Sequence, residues 1–359
     1  MTNLGLFGLP GSGKSTLFQA LTKQAVAPQF LGYDIKPHQA VVRIPDPRLD
    51  TIGALFKARQ NVQNTVEFVD IPGFDPASTE TKLKNAVLEH YRKCDALALV
   101  VNLFDPDSAE QAAAGMHLLL DELVLLGLVT VENVAKRLEK AARMKADKET
   151  EAKYKLLVKV QAQLEEGVPV RRMELDAQEL KLLREYAFIS EKPVIAVLNV
   201  ADDAVAADDA DIPGLPEVLA VAAAEGLTTV RLSAALQAEL AGMEEAEAQE
   251  YMAEFGVQEL ALPRFIRASH ECLGLITFFT GSEKECRAWS LKGGANAQAA
   301  AAVIHTDLAR GFIRAETVSL DDFVQYEGLA GAKAAGKVRL EGKEYIVADG
   351  DILTIRFNV

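Results

Sequence analysis

A phosphate-binding motif near the amino terminus constrains the fold of this chain more than any other feature. Residues 8–15 match the pattern G-x-x-x-x-G-K-[ST] at every fixed position. A short apolar run precedes the motif and a helix-favouring segment follows it, which is the strand, loop and helix context that this motif requires. Its glycines let backbone N–H groups point inward, and the start of the helix adds further donors, so the segment predicts an anion cradle. A glycine-rich turn without a ligand is the alternative interpretation.

The polar residues of the motif have expected roles in binding a nucleoside triphosphate. Lys14 is expected to reach the β- and γ-phosphates and to take part in catalysis, and the hydroxyl of Ser15 is expected to ligate Mg²⁺. The predicted nucleotide-binding residues of this segment are Gly8, Pro10, Gly11, Ser12, Gly13, Lys14, Ser15 and Thr16.

A second element of such a site follows about 55 residues later. Residues 66–70 form an apolar segment that ends in a carboxylate, and residues 70–73 read D-x-P-G. Asp70 is expected to hold Mg²⁺, and the N–H of Gly73 is expected to sense the γ-phosphate. This spacing strengthens a motif that would be weak by itself.

A third element has the position of a base-recognition motif. In N-K-x-D proteins the final carboxylate accepts two hydrogen bonds from a guanine edge, and the lysine packs along the base. Here the lysine position is occupied by valine, and an ordinary junction of strand and turn is the alternative. The predicted base-site residues are Asn199, Val200, Asp202, Ser233, Ala234 and Ala235.

The order of apolar and helix-favouring segments predicts an α/β fold with a doubly wound, mostly parallel sheet. Residues 193–199 and 229–233 extend this sheet as buried strands. A segment without Gly or Pro, residues 129 to 166, separates the earlier strands from these two; it favours long helices and predicts an inserted hairpin. The predicted domains are therefore 1–128 with 186–272 for nucleotide binding, 129–185 for the hairpin, and 273–359 for a small mixed α/β module.

The net charge of −14, from 38 basic and 52 acidic residues, is unevenly distributed. Residues 201–260 hold fourteen acidic residues and one basic residue, whereas residues 129–163 hold nine basic and five acidic residues. The average therefore excludes uniform coating of nucleic acid, but it permits a basic arm that contacts RNA. A solvated helix face is the alternative, and sequence-specific DNA binding is not expected. The predicted RNA or ribosome contacts are Lys136, Arg137, Lys140, Arg143, Lys145 and Lys148.

The three cysteines do not form a metal-binding or disulfide pattern, which favours a reducing cytosol. The longest apolar run, residues 116–129, is interrupted by Asp121 and Glu122 and predicts a buried helix, so no membrane partner is expected. No signal-peptide pattern is present at the amino terminus. A monomer is favoured.

These motifs and the carboxy-terminal segments resemble the YchF subfamily of Obg-like P-loop NTPases, of the TRAFAC class. The most specific similarity lies in residues 273–275, 285–289, 305–307, 311–317 and 336–347, which look like that family's TGS domain. The resemblance implies a nucleotide domain, a coiled-coil hairpin and a ubiquitin-like β-grasp (TGS) domain that together engage ribosomes or RNA. Family members prefer ATP and carry Glu where this chain has Asp202, so the base, ATP or GTP, stays open.

Two departures from the family pattern concern hydrolysis. No Ser or Thr lies between Thr22 and Thr51, and alignment with the family's Thr-x-x-Pro places Asp34 where a switch I threonine is expected. A carboxylate there would be a possible Mg²⁺ ligand, but it would also repel the γ-phosphate. The residue after the D-x-P-G motif, Phe74, is apolar as it is in the family, so no side chain there orients the attacking water. Residues 75–82 lack the glycines of the family's switch II, which predicts a stiffer loop.

Three functions are compatible with these features. The first is a Mg²⁺-dependent NTPase, slow by itself, with ATP slightly favoured over GTP, that acts as a ribosome- or RNA-associated regulatory factor. The second is a nucleotide-binding RNA or ribosome adaptor whose hydrolysis has degenerated. The third is a small-molecule kinase, which the phosphate-binding motif alone would suit equally well.

Overall fold

The computed structural model describes residues 2–23, 30–31, 34–143, 148–257 and 260–358, with the backbone alone described at 30, 31, 34, 81, 140–143 and 245. Two compact units are present. The first comprises Met1–Ala40 and Glu67–Leu262, and the second comprises Val41–Val66 and Pro263–Val359.

The described part of the chain forms fourteen strands and fifteen α-helices. The strands are β1 (Asn3–Phe7), β2 (Phe30–Leu31), β3 (Asp34–Ile35), β4 (His38–Arg43), β5 (Asn61–Val62), β6 (Thr65–Asp70), β7 (Ala96–Leu103), β8 (Val194–Val200), β9 (Thr228–Leu232), β10 (Leu275–Gly281), β11 (Cys286–Lys292), β12 (Phe312–Val318), β13 (Arg339–Glu341) and β14 (Ile352–Phe357). The helices are α1 (Lys14–Thr22), α2 (Pro47–Phe56), α3 (Thr81–Arg92), α4 (Pro106–Ala109), α5 (Ala112–Arg143), α6 (Lys148–Glu165), α7 (Ala177–Leu183), α8 (Leu215–Ala224), α9 (Ala234–Leu240), α10 (Glu245–Glu254), α11 (Ala261–Cys272), α12 (Ala297–Ile304), α13 (Thr306–Arg310), α14 (Leu320–Gln325) and α15 (Leu329–Ala334). Short 3₁₀ segments cover Val170–Arg172, Arg184–Tyr186, Ile189–Glu191, Asp202–Ala204 and Asp209–Asp211.

The first sheet has the strand order β4-β6-β1-β7-β8-β9. Parallel pairing joins β1 to both β6 and β7, and it continues through β8 to β9. The predicted parallel sheet, including its two late strands, is therefore confirmed. Because parallel strands share one carboxyl edge, the loops after β1, β6 and β8 lie together there, where ligands bind in open α/β sheets.

The helical hairpin consists of α5 and α6, which pack through an apolar seam. Val131, Leu157 and Val160 are fully buried in this seam, and Leu138 packs against it. Helix α5 begins at Ala112, which is earlier than the predicted start of the insertion at residue 129. The first part of the helix belongs to the core of the first sheet, where Leu123 is fully buried. One continuous helix therefore packs against the first sheet with its first part and against α6 with its second part.

Helix α5 is also apolar enough and long enough, over Ala112–Glu139, to cross a membrane by length and composition. Asp121 and Glu122 interrupt its apolar sequence, but the helix still meets the length and composition of a membrane-spanning helix. Of its most apolar window, 39% is buried inside the protein. Core helices of globular proteins meet the same criterion, so this helix is weak evidence for a membrane span.

The second unit contains a mixed sheet with the order β13-β12-β14-β10-β11-β5. Strand β10 pairs antiparallel with β11 and parallel with β14, and β12 pairs antiparallel with β14. Helix α12 covers one face, where Ala297, Ala300 and Ala301 are fully buried. This is the arrangement expected of a β-grasp module.

Residues 41–66 group with the second unit, although the sequence analysis assigned them to the nucleotide-binding domain. Strand β5 pairs with β11, with Asn61 opposite Cys286. From α2, Leu49 and Ile52 are buried in one cluster with Phe279. Strand pairing between residues that are distant in the sequence decides this grouping, and nothing in the local pattern of residues 41–66 indicates it.

Candidate functional site

The loop between β1 and α1 has the backbone conformation that its glycines permit. Gly8, Gly11 and Gly13 have φ angles of +152°, +78° and +91°, which side chains with a Cβ rarely adopt. At Gly8 a Cβ would also lie 2.6 Å from the carbonyl oxygen of Val100. The loop therefore requires glycine at these positions, as the phosphate-binding motif predicts.

Lys14 lies inside this loop with 5% of its surface exposed. Its Nζ donates hydrogen bonds to the carbonyl oxygen of Leu9 at 2.7 Å and to Oγ of Ser12 at 3.2 Å. Burial lowers the pKa of Lys14 to about 8, and the charge of Asp70 opposes that shift. The ammonium group is thus held at the centre of the loop, where phosphate oxygens would replace its present partners.

Asp70 and Ser15 meet at the end of β6. The Ser15 hydroxyl donates to Oδ2 of Asp70 at 2.9 Å, and Asp70 is fully buried. Burial raises the pKa of Asp70, while the bond from Ser15 and the charges of Lys14 and His38 act in the opposite direction. A hydroxyl and a carboxylate in contact are the hard oxygen donors that Mg²⁺ prefers, so these two residues fit the predicted ion.

The D-x-P-G segment is in direct contact with the phosphate-binding loop. The N–H of Phe74 donates to the carbonyl oxygen of Gly8 at 3.0 Å. At Gly73 a Cβ would lie 2.7 Å from both Cα and N of Pro10, so only glycine allows this approach. The Phe74 side chain is 1% exposed and packs with Phe7 in the core, which leaves it unable to orient a water molecule.

Tyr91 forms hydrogen bonds with both the end of β1 and the D-x-P-G segment, a role that the sequence did not predict. This fully buried tyrosine on α3 donates its hydroxyl to the carbonyl oxygens of Leu6 at 3.1 Å and Pro72 at 3.2 Å. Its ring meets Phe7 edge to face, with 5.0 Å between the ring centroids. A lone tyrosine in an amphipathic helix carries no local sequence signal for this contact.

Asn199 connects the base-recognition segment to the phosphate-binding loop. Its Nδ2 donates to the carbonyl oxygen of Ser12 at 3.1 Å, and its Oδ1 accepts the N–H of Ala234 at 2.8 Å. The side chain is 3% exposed, so both bonds lie in a dry environment. The predicted residues at positions 12, 199 and 234 are therefore brought together.

The remaining predicted base-site residues differ in their surroundings. Asp202 is half-buried and its Oδ1 accepts a hydrogen bond from the Ser233 hydroxyl, whose oxygen also caps α9 by accepting the N–H of Leu236 at 3.1 Å. Ala235 is exposed at the start of α9. Val200 is 1% exposed and packs in the sheet core, so its side chain does not extend along a base as a lysine would.

Other predicted site residues are described in part. Lys136, Arg137 and Lys148 are exposed on the hairpin, with Lys136 3.7 Å from Glu132. The side chains of Lys140, Arg143 and Asp34, and the whole of Lys145, lie outside the described residues.

His38 is a site residue that the sequence analysis missed. It begins β4, and its Nδ1 lies 3.9 Å from Oδ2 of Asp70. The one sequence feature that could have indicated His38 is its position four residues after Asp34, the predicted switch I residue.

Comparison with known proteins was consistent with this geometry. A family profile described as a 50S ribosome-binding GTPase (MMR_HSR1) matches residues 3–126, and one described as a protein of unknown function (YchF-GTPase_C, DUF933) matches residues 275–358. The proteins named ribosome-binding ATPase YchF from Pasteurella multocida and Haemophilus influenzae are each 40% identical over 363 residues, covering 99% of both chains. The solved structure of the Schizosaccharomyces pombe YchF GTPase superposes with a TM-score of 0.84 at 28% identity, covering 99% of this chain and 97% of that one.

Proposed function

This chain belongs to the YchF family of Obg-like P-loop NTPases, and from that premise we propose that it is a slow, Mg²⁺-dependent ATPase that acts on or near the ribosome. One observation carries the proposal. Lys14 is buried within the phosphate-binding loop while Ser15 contacts Asp70 at 2.9 Å, so a cationic phosphate site adjoins a pair of oxygen donors for a metal ion.

Each residue of this site would have a separate role in phosphoryl transfer. The loop amides and Lys14 bind the phosphates, and Ser15 and Asp70 hold the ion. When bound, Mg²⁺ neutralises charge that develops on the phosphate oxygens. Because the Phe74 side chain is buried, the residue after the D-x-P-G motif does not orient the attacking water. Intrinsic hydrolysis is therefore slow, and binding to a partner supplies the missing alignment.

The test of nucleotide binding is Lys14→Ala, with Lys93→Ala as the matched control because Lys93 is an exposed lysine of the same unit. A charge-assisted hydrogen bond contributes about 1.5–3 kcal/mol, so affinity for ATP with Mg²⁺ falls about 10- to 150-fold in the first variant. Titration with a fluorescent ATP analogue measures the affinity, and phosphate release measures the turnover. Equal affinity and turnover in the two variants would refute the proposal.

We further propose that ATP is favoured over GTP. The relatives named as ATPases support this, as does the burial of Val200, which leaves no extended side chain from that position along the base. Asp202 has a carboxylate that can accept the hydrogen bonds donated by guanine, so the site is also expected to bind GTP. Asp202→Ala is expected to weaken GTP binding more than ATP binding, whereas the exposed neighbour Asp203→Ala changes neither. Competition between the two nucleotides measures the preference, and tighter binding of GTP to the unmodified protein would refute it.

The proposed partner is the ribosome, contacted through the basic hairpin, and the corresponding compartment is the cytosol. The relatives are named for ribosome binding, and Lys136 and Arg137 project into solvent from α5. Contacts to RNA phosphates weaken as salt rises, because binding releases counterions. Co-sedimentation with ribosomes is therefore expected to fall with salt, and to fall further for the charge-reversed pair Lys136→Glu and Arg137→Glu. The pair Lys82→Glu and Lys93→Glu on α3 and its end serves as the control. Equal sedimentation of both double variants would contradict this contact.

A nucleotide-binding adaptor without useful hydrolysis is the second candidate, favoured by the absence of Ser and Thr between Thr22 and Thr51 and by the absence of glycine from residues 75–82. It predicts ATP binding, but phosphate release no faster with ribosomes than without them. A rise in turnover on addition of ribosomes would eliminate it.

A further inference from the structure

His38 adds a nitrogen donor to a site that otherwise offers oxygen donors. Its Nδ1 lies 3.9 Å from Oδ2 of Asp70, the same oxygen that accepts the Ser15 hydroxyl at 2.9 Å. The imidazole is 30% exposed, and its ring lies against Phe18, with 6.1 Å between the ring centroids and 36° between the planes. Phe18 is one turn after Ser15 on α1, so the helix that presents the hydroxyl also supports the imidazole ring.

These spacings can be compared with those between ligands of one divalent cation. An octahedral ion with ligands at about 2.1 Å places neighbouring ligands about 3.0 Å apart and opposite ligands about 4.2 Å apart. The contact between Ser15 and Asp70 equals the first value, and the separation between His38 and Asp70 lies between the two values. An ion held by Ser15 and Asp70 would therefore have His38 Nδ1 near its ligand shell, and a side-chain movement would bring the imidazole into it.

An imidazole ligand changes which ions the site prefers. Mg²⁺ favours carboxylate, hydroxyl and water oxygens, whereas imidazole favours ions of the later first transition series such as Co²⁺, Ni²⁺ and Zn²⁺. We propose that His38 is a metal-specificity residue of this nucleotide site, through which the site binds these ions more tightly relative to Mg²⁺ than Ser15 and Asp70 alone would. This inference rests on the proposed nucleotide-binding function and deepens it.

The test compares the full chain with His38→Asn and with His117→Asn, a control at an exposed histidine on α5. Affinity for a fluorescent ATP analogue is measured with Mg²⁺ and with Co²⁺. Loss of a metal-supporting side chain costs about 10- to 100-fold in metal affinity, so the preference for Co²⁺ over Mg²⁺ falls by at least tenfold in His38→Asn and is unchanged in the control. His38→Gln repeats the measurement, and thermal unfolding of each variant verifies that it is folded.

A second readout does not depend on turnover or on affinity. A histidine bound to Co²⁺ gives a strongly shifted, exchangeable N–H signal in the proton NMR spectrum. This signal is expected for the unmodified protein with Co²⁺ and ATP, and it disappears in His38→Asn but persists in His117→Asn.

Two results would overturn the inference, and they can be told apart. If ATP binds with Mg²⁺ but His38→Asn changes the affinity equally with both ions, and no shifted signal is found, His38 only orients Asp70 and the inference alone fails. If ATP binds with neither ion, the proposed function fails and the inference fails with it.

Discussion

Replacement of Asn199 by alanine tests the connection between the predicted base-recognition segment and the phosphate-binding loop. The asparagine side chain is 3% exposed and makes two hydrogen bonds to backbone groups, one to the carbonyl of Ser12 and one from the N–H of Ala234. Alanine removes both partners at once. A buried carbonyl and a buried N–H are then left without their bonds.

The magnitude follows from the cost of leaving such groups unsatisfied, about 1–3 kcal/mol for each. Two groups give about 2–6 kcal/mol, and a water molecule that enters the space left by the amide would recover part of this cost. We therefore expect Asn199→Ala to lose about 2–4 kcal/mol of unfolding free energy. Affinity for ATP should also fall, because Ser12 and the start of α9 are no longer held to each other.

Asn102 provides a matched control, since it lies directly opposite Asn199 in the register of β7 and β8. Its Oδ1 accepts two longer bonds, from the N–H groups of Phe104 at 3.2 Å and Asp105 at 3.3 Å, and its side chain is only half-buried. Water can replace it more easily, so Asn102→Ala is expected to cost less than about 1 kcal/mol.

Urea unfolding followed by circular dichroism measures both variants, and hydrogen exchange at the amide of Ala234 reports the lost bond locally. Exchange there should accelerate in Asn199→Ala and stay unchanged in Asn102→Ala. A loss below about 1 kcal/mol in Asn199→Ala, or equal losses in the two variants, would refute the reasoning.

Three further predictions concern packing and ionisation. Gly73→Ala introduces a Cβ 2.7 Å from the backbone of Pro10 and is expected to cost about 1–3 kcal/mol of unfolding free energy, so an unchanged stability in urea would contradict the described contact. Leu157→Ala removes a fully buried side chain of the hairpin seam and should cost about 2–5 kcal/mol of unfolding free energy. The control Val158→Ala, at a residue that is 47% exposed, should cost less than about 0.5 kcal/mol. Similar losses in the two variants would argue against the seam. Burial raises the pKa of Cys272 to about 11, so its alkylation at pH 8 should be about 100-fold slower in the folded than in the unfolded protein. The alkylation rate of the folded protein, measured by mass spectrometry, should rise about tenfold per pH unit up to that pKa. Equal rates in the folded and unfolded protein would exclude the shift.

Features that depend on neighbouring residues were predictable from the sequence. The phosphate-binding loop is an example, because Gly8, Gly11 and Gly13 permit backbone angles that few other residues adopt, and the following helix starts where Lys14 begins it. The parallel sheet was predictable for a similar reason, since β7 and β8 are apolar runs interrupted by one asparagine each, of the length that a doubly covered strand requires.

The direction of a side chain depends on the folded strand and is not given by a motif. Val200 follows Asn199 directly, and the motif pattern placed both at the base. Successive residues of a strand point to opposite faces, so Asn199 reaches the phosphate-binding loop while Val200 enters the core. Helix α5 continues through residue 129, the predicted start of the hairpin, and its two halves pack in different cores.

The sequence by itself determined the phosphate-binding loop and the family, and it supplied the predicted metal-binding carboxylate and the predicted base-recognition segment. Only the tertiary structure decided which residues meet. Asn199 reaches Ser12, Tyr91 supports Pro72, and His38 comes within 3.9 Å of Asp70. It also decided that residues 41–66 pair with the second unit. The physical reason is that local backbone preferences act between neighbours in the chain, whereas hydrogen bonds and packing act between neighbours in space, and only the register of the folded sheets converts one into the other.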